Sequence, residues 1–410
     1  MLKNRLAKNA FSLLLLKGFE YMLPLITIPY LVRVLGNGNF GEMMYAIAIA
    51  YFFVTITNYG FDLTATREIS IHKENLKKVN KIFSSVITVK FFLMCISFCL
   101  LSLLLFIFPH FQGNRVVYYA AFLNVIGNAL FPVWLFQGIE KMGYITVVNM
   151  IAKLTTTLCI FIFVSDSSNY IIATVLQSIP LVICAFISFF IISTKLSISY
   201  SIPRLEAIVS CFKDGWDVFT SSFMSYILNS SGTIVLGLFS SKEVVGIYSA
   251  IEKLSKAIIN LFAPITQALF PHISSCFEVS HKKGKQSVIK FGKWIIALAA
   301  IVALFMAVAA KWILIIFYGT DYHEYTLVVQ LFAIWLLTSI ANNVIGIQYL
   351  VASGRSSAYS RSFLLSTIAT LILFFGLIPS MEIYGVLVSI NVGELILTVT
   401  MILYIMRCKE

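Results

Sequence analysis

Six ionisable side chains sit deep inside long apolar runs: Lys17, Glu20, Lys153, Glu252, Lys253 and Lys256. A charge within a bilayer is costly, so such residues pair with one another or face a cavity. Glu20 follows Lys17 by three positions and Lys256 follows Glu252 by four, so on a helix each pair shares a face. Two readings follow. Either the pairs are local neutralisation that makes insertion tolerable, or they border a water-filled cationic cavity, because pairing leaves Lys153 and Lys253 over. A cationic cavity suits an anionic ligand, and lysine serves phosphate as a mobile point charge. Lys90 and Lys311 lie nearer the ends of their runs, where a long stem lets the ammonium snorkel to the interface. The polar run Thr220, Ser221, Ser222, Ser225, Asn229, Ser230, Ser231 and Thr233 either knits helices together or lines a wet path for sugar hydroxyls. Asn342, Asn343 and Gln348 read as interhelical hydrogen-bond partners.

Signatures of catalysis are lacking. There is no glycine-rich phosphate loop ending in Lys-Ser/Thr, no nucleophile elbow and no His-Glu-x-x-His. Cys95 and Cys99 lie one helical turn apart without a histidine, which fits small hydrophobes better than metal ligands. We expect no enzyme, no cofactor, no metal and no disulfide. Without a nucleotide site, energy for transport would come from an ion gradient or from the substrate's own gradient.

The elements that must position these residues follow from composition. The chain has 410 residues, 59% of them hydrophobic and only 12% charged, with a mean hydropathy of +0.92. Soluble domains carry roughly a quarter charged residues, whereas a run of about 20 apolar residues spans a bilayer as a helix. The runs predict an all-α membrane protein with about twelve transmembrane helices, near 10–32, 41–60, 82–108, 117–137, 144–165, 170–193, 216–239, 246–275, 294–317, 326–352, 362–379 and 384–406. The first run holds Lys17 and Glu20 and lacks a small-residue cleavage site, so it is expected to stay as a span. With the N-terminus placed inside, the inward segments hold 21 of the 30 Lys and Arg, and the outward loops hold 3: Arg33, Arg115 and Lys242. That asymmetry puts both termini in the cytoplasm. The net charge of +12 is therefore topological rather than a sign of nucleic-acid binding.

The segment 194–215 divides the spans six and six. This predicts an N-terminal bundle over 1–193, a cytoplasmic loop over 194–215 and a C-terminal bundle over 216–410. An even number of spans per half makes the halves a parallel repeat, two six-helix bundles around a central cavity. Pro24, Pro29, Pro132, Pro180, Pro264 and Pro271 fall inside spans, where each removes a backbone hydrogen bond and offers a hinge.

Three stretches carry a family resemblance. Pro132-Val133-Trp134-Leu135-Phe136-Gln137-Gly138-Ile139-Glu140-Lys141-Met142 resembles a motif of bacterial polysaccharide-export flippases, the Wzx type that translocates O-antigen units. Gly60-Phe61 through Arg67-Glu68-Ile69-Ser70, and Gly246-Ile247-Tyr248-Ser249-Ala250 through Lys253, resemble two further segments of that family, part of the multidrug/oligosaccharidyl-lipid/polysaccharide exporter superfamily. The resemblance implies an inner-membrane flippase for an undecaprenyl-pyrophosphate-linked sugar repeat unit. A proton or sodium coupling ion and the polysaccharide polymerase machinery would be its partners. It implies that spans 1, 2, 7 and 8 face the lumen, which favours Lys17, Glu20, Lys253 and Lys256 as substrate-binding residues and makes Lys153 the outlier. Arg67, Trp134, Gln137 and Glu140 read as gating or structural. Trp134 and Phe136 suit an interfacial aromatic belt, and Glu140 suits pairing with an inside cation such as Arg67. The rivals are a drug/cation antiporter of the same superfamily, disfavoured by the excess of lysine over carboxylate, and a membrane polymerase or ligase, disfavoured by the short outside loops.

Overall fold

Runs of leucine, isoleucine and phenylalanine without water to satisfy the backbone must close their hydrogen bonds internally, and helices do so. In a computed structural model the backbone of residues 2–111 and 113–407 is described, with the side chains of 22–109, 111, 113–227 and 230–407. Among the described residues every regular element is helical. Apart from three short 3-10 turns, in order these are α1 (Leu2–Asn58), α2 (Phe61–His72), α3 (Leu76–Ile107), α4 (Arg115–Leu130), α5 (Val133–Gly138), α6 (Met142–Phe163), α7 (Tyr170–Ser178), α8 (Pro180–Ile191), a short π-helix (Ile192–Leu196), α9 (Leu205–Phe239), α10 (Lys242–Asn260), α11 (Ala263–Val279), α12 (His281–Val308), α13 (Ala310–Tyr318), α14 (Thr326–Asn343), a longer π-helix (Val344–Val351) and α15 (Ser356–Arg407).

Nine described helices are long and apolar enough to cross a membrane, or ten when the two halves of α9 count as one span. The protein is a multi-pass membrane protein. Helices α1 and α15 have 57 and 52 residues. At about 1.5 Å per residue each far exceeds a hydrocarbon core of about 30 Å. Each is broken once, by Gly36 (φ 72°) and by Glu382 (φ 47°). These breaks fall within the outside connections expected at 33–40 and 380–383. Glycine reaches a positive φ freely. At Glu382 the break follows Pro379, which withholds an N–H from the preceding turn.

By contact the chain forms two compact units: Met1–Leu23 with Val34–Tyr226, and Pro24–Arg33 with Ile227–Glu410. The sequence reading draws its boundary in segment 194–215. Here only residues 197–204 are non-helical, and the chain changes unit between Tyr226 and Ile227. The first half of α9 stays with the first unit because its aromatics pack there. Phe219 stacks on Tyr59 with ring centroids 4.6 Å apart, and Phe212 meets Tyr59 edge-on at 5.1 Å. Pro24–Arg33 joins the second unit, where the Arg33 guanidinium donates to the Ile316 and Phe317 carbonyls at 2.9 and 3.0 Å. A cation satisfying the last carbonyls of α13 is favoured both by hydrogen bonding and by the helix dipole.

Candidate functional site

The first unit is organised by the Pro132–Met142 motif. Pro132 has no N–H, so the Asn128 carbonyl four residues earlier loses its helical partner. Lys90 takes its place: its Nζ donates to Asn128 O at 3.0 Å and to Asn58 Oδ1 at 2.9 Å. Lys90 is 1% exposed. Snorkelling is thus overturned at this residue, because two neutral acceptors inside the bundle satisfy the ammonium where it sits. Lys311 is exposed.

Beyond Pro132 the chain forms the six-residue α5 against α2. Trp134 is fully buried, in a core cluster with Phe83, Phe136, Ile69 and Phe61. The expected aromatic belt is therefore corrected: α5 tucks both rings into protein, not into an interface. Gly138 permits this approach, since a Cβ there would lie 2.6 Å from Ile69 Cγ2 and 3.0 Å from the Thr66 carbonyl. The Thr66 hydroxyl donates to Trp134 O at 3.3 Å. Gly60 has φ 77°, and a Cβ there would meet Val218 of α9 at 2.7 Å. Glu140 turns the chain with φ 60°, and its carboxylate meets Lys73 at 2.8 Å. The cation expected there was Arg67, but Arg67 lies on the exposed face of α2, while Lys73 follows that helix's last turn and reaches the α5 end. Gln137 is half-buried beside them.

In the second unit, α10 carries the Gly246–Ala250 motif one turn in from its start, and every residue of the motif is buried. Its Tyr248 hydroxyl donates to Glu252 Oε1 at 3.3 Å, and the Thr233 hydroxyl of α9 donates to Oε2 at 3.3 Å. Lys256 closes the set with an ion pair to Glu252 at 2.8 Å. The i, i+4 spacing already announced this pair. Lys253 is half-buried on the same helix, and its ammonium has no ion pair among the described residues. The structure thus keeps Lys253 and Lys256 together in the second unit and places Lys153, half-buried on α6, in the first. The side chains of Lys17 and Glu20 lie outside the described residues.

Two acids went unnoticed in the sequence, although a carboxylate inside an apolar run was signal enough. Glu42 is buried in α1 and accepts from the Tyr118 hydroxyl at 3.0 Å. Glu394, 4% exposed in α15, is held by neutral donors: Trp335 Nε1 at 3.2 Å and Asn342 Nδ2 at 2.5 Å. The Thr398 hydroxyl in turn donates to Asn342 Oδ1 at 2.6 Å. Asn342 is thereby a hydrogen-bond link between α14 and α15, as its position suggested.

Helices of this length and order, with buried charges held by polar partners, define a helical membrane protein, and superposition on solved structures gives it the fold of the MOP-superfamily transporters. A multidrug-resistance MATE family transporter of that superfamily, in an inward-facing conformation, superposes with a TM-score of 0.70 at 15% identity, covering 94% of each chain. The lipid II flippase MurJ, in an inward closed conformation, gives 0.68 at 14% identity over 95% of this chain and 86% of that one. The chain belongs to the family described as "Polysaccharide biosynthesis protein", whose pattern matches residues 6–277. It is 28% identical over 407 residues to an Escherichia coli K12 protein named "Putative O-antigen transporter", covering 99% of this chain and 98% of that one.

Proposed function

We propose that this protein moves undecaprenyl pyrophosphate carrying a sugar repeat unit from the cytoplasmic to the periplasmic leaflet of the bacterial inner membrane, by alternating access. Its family and the name of its Escherichia coli relative support the substrate class. The observation that carries the reading is on α10. Glu252 is satisfied by Lys256, Tyr248 and Thr233, so Lys253 adds positive charge that no ion pair consumes among the described residues. A diphosphate is the kind of ligand that such charge attracts.

Lys17, Glu20, Lys153, Lys253 and Lys256 are proposed to meet the substrate. Arg67, Gln137 and Glu140 would act at the cytoplasmic gate, with Trp134 as its packed support. Both termini and residues 197–204 would face the cytoplasm, following the cation asymmetry. Transport would run on a proton or sodium gradient. Glu394 is the candidate carboxylate for that ion, being buried without an ion pair among the described residues. The exported unit would pass to the polymerase machinery.

Deleting the gene tests this. Polymerised surface polysaccharide should stop, with single lipid-linked repeats accumulating on the cytoplasmic side. Repeats that accumulate unpolymerised in the periplasmic leaflet would instead identify a polymerising enzyme.

A further inference from the structure

Three interruptions of regular backbone meet at one cavity of the second unit. It has a volume of about 440 Å³, and its polar lining comes from Asn260, Thr266, Gln267, Ser339, Asn343 and Gln348. Pro264 and Pro271 have no N–H to return to the residues four before them, which are Asn260 and Gln267. The opposite wall is the π-helix Val344–Val351, where Ala352 N–H reaches back five residues to Ile347 O. At membrane depth, irregular backbone is tolerated where it is buried in protein or lines a wet cavity, and π-helical turns concentrate at functional sites.

The side chains point to what the cavity takes. Gln348 is 2% exposed; its Nε2 donates to Thr266 O at 2.9 Å, while its Oε1 has no partner. Asn343 Oδ1 is likewise buried and unpartnered. The lining brings four amide side chains and two hydroxyls to one space, the groups that exchange hydrogen bonds with a polyhydroxylated occupant. No lining residue is charged, and Phe262 and Phe270 add aromatic surface. The volume lies within the range of small-ligand pockets, about 300–1,000 Å³. It far exceeds the roughly 30 Å³ share of one water, and so also the needs of a bare ion. Lys256 and Asn260 are one helical turn apart on the same face of α10.

We propose that this cavity is a subsite for an uncharged sugar residue of the transported glycan, held by amide and hydroxyl groups one turn beyond the Glu252–Lys256 pair. The inference rests on the transport reading above and deepens it. Lys253, with Lys256 beside it on α10, handles the anionic part of the substrate, and the neutral cavity reads a saccharide through its hydroxyls.

Saturation-transfer NMR on the full-length protein in nanodiscs tests it, with free glucose, galactose, N-acetylglucosamine and rhamnose as probes. At least one sugar should give a signal. That signal should fall at least five-fold in Asn343→Leu, which removes an amide from the lining, and in Ser339→Phe, which fills the space. It should persist in Lys311→Ala, a change at an exposed position. If Ser339→Phe does not purify folded, Asn343→Leu decides alone. Silence from all four sugars, or an undiminished signal in Asn343→Leu, would overturn the subsite. So would sodium-23 line broadening that the same variant abolishes without any sugar signal. Failure of the NMR with the deletion phenotype intact removes the subsite alone. Repeats reaching the periplasmic leaflet without the protein remove the transport reading itself.

Discussion

The ammonium of Lys90 donates to the Asn128 carbonyl at 3.0 Å, the acceptor that Pro132 cannot serve. A proline that opens the family's motif thus has its structural consequence on another helix, α3. Lys90→Met would leave both Asn128 O and Asn58 Oδ1 without their donor. A loss of about 1–3 kcal/mol is expected for each buried acceptor stranded this way. Thermal unfolding in detergent should show a clear drop in midpoint, partly recovered by Asn58→Leu in the same chain. A Lys90→Met protein as stable as wild type would show that water replaces the ammonium.

Gly138→Ala tests the α2–α5 contact. The added methyl meets Ile69 and the Thr66 carbonyl at 2.6–3.0 Å, and overpacking of this kind typically costs about 1–3 kcal/mol. The expected result is lower thermal stability with export reduced in proportion to the folded protein. An unchanged melting curve would mean that α5 can move away from α2 freely.

Glu140 and Lys73 form a partly exposed ion pair, and such pairs contribute only about 0.2–1 kcal/mol. Glu140→Gln should therefore leave the melting point within a degree or two of wild type. If Glu140 gates, export measured in complemented cells should fall several-fold at equal protein level. Normal export would make the pair a surface contact and nothing more.

Glu394→Gln preserves the size of the side chain and removes its charge. Transport coupled through this carboxylate should lose its dependence on the imposed proton or sodium gradient, measured in proteoliposomes, while the fold survives. Retained gradient dependence would clear Glu394 of that role.

Much of the fold is legible because helical spans announce themselves as apolar runs, and the Glu252–Lys256 pair is legible because both partners share one helix. Lys90 is not. Its acceptors lie 32 and 38 positions away, and the only local hint is the proline that frees one of them. Arg67 lies on α2 and Lys73 just past its end, six positions on, so the cation facing Glu140 depends on the rotation and ending of that helix rather than on spacing. Trp134 reads as interfacial because its run ends nearby, but tertiary packing of a six-residue helix decides its burial. Gly36 and Glu382 break their helices where polar gaps predict connections, yet each takes a single residue rather than a loop.

The most direct measurement follows a lipid-linked repeat across a bilayer. Purified protein would be reconstituted into proteoliposomes with undecaprenyl pyrophosphate-linked N-acetylglucosamine and an imposed ion gradient, and leaflet exposure read with an impermeant lectin. The account predicts protein-dependent movement to the opposite leaflet. It should be reduced at least ten-fold in Lys253→Ala and Lys256→Ala, largely kept in Lys256→Arg, and not rescued by adding Glu252→Gln to Lys256→Ala. Movement no faster than in protein-free vesicles, or full activity in the well-folded Glu252→Gln/Lys256→Ala protein, would contradict it.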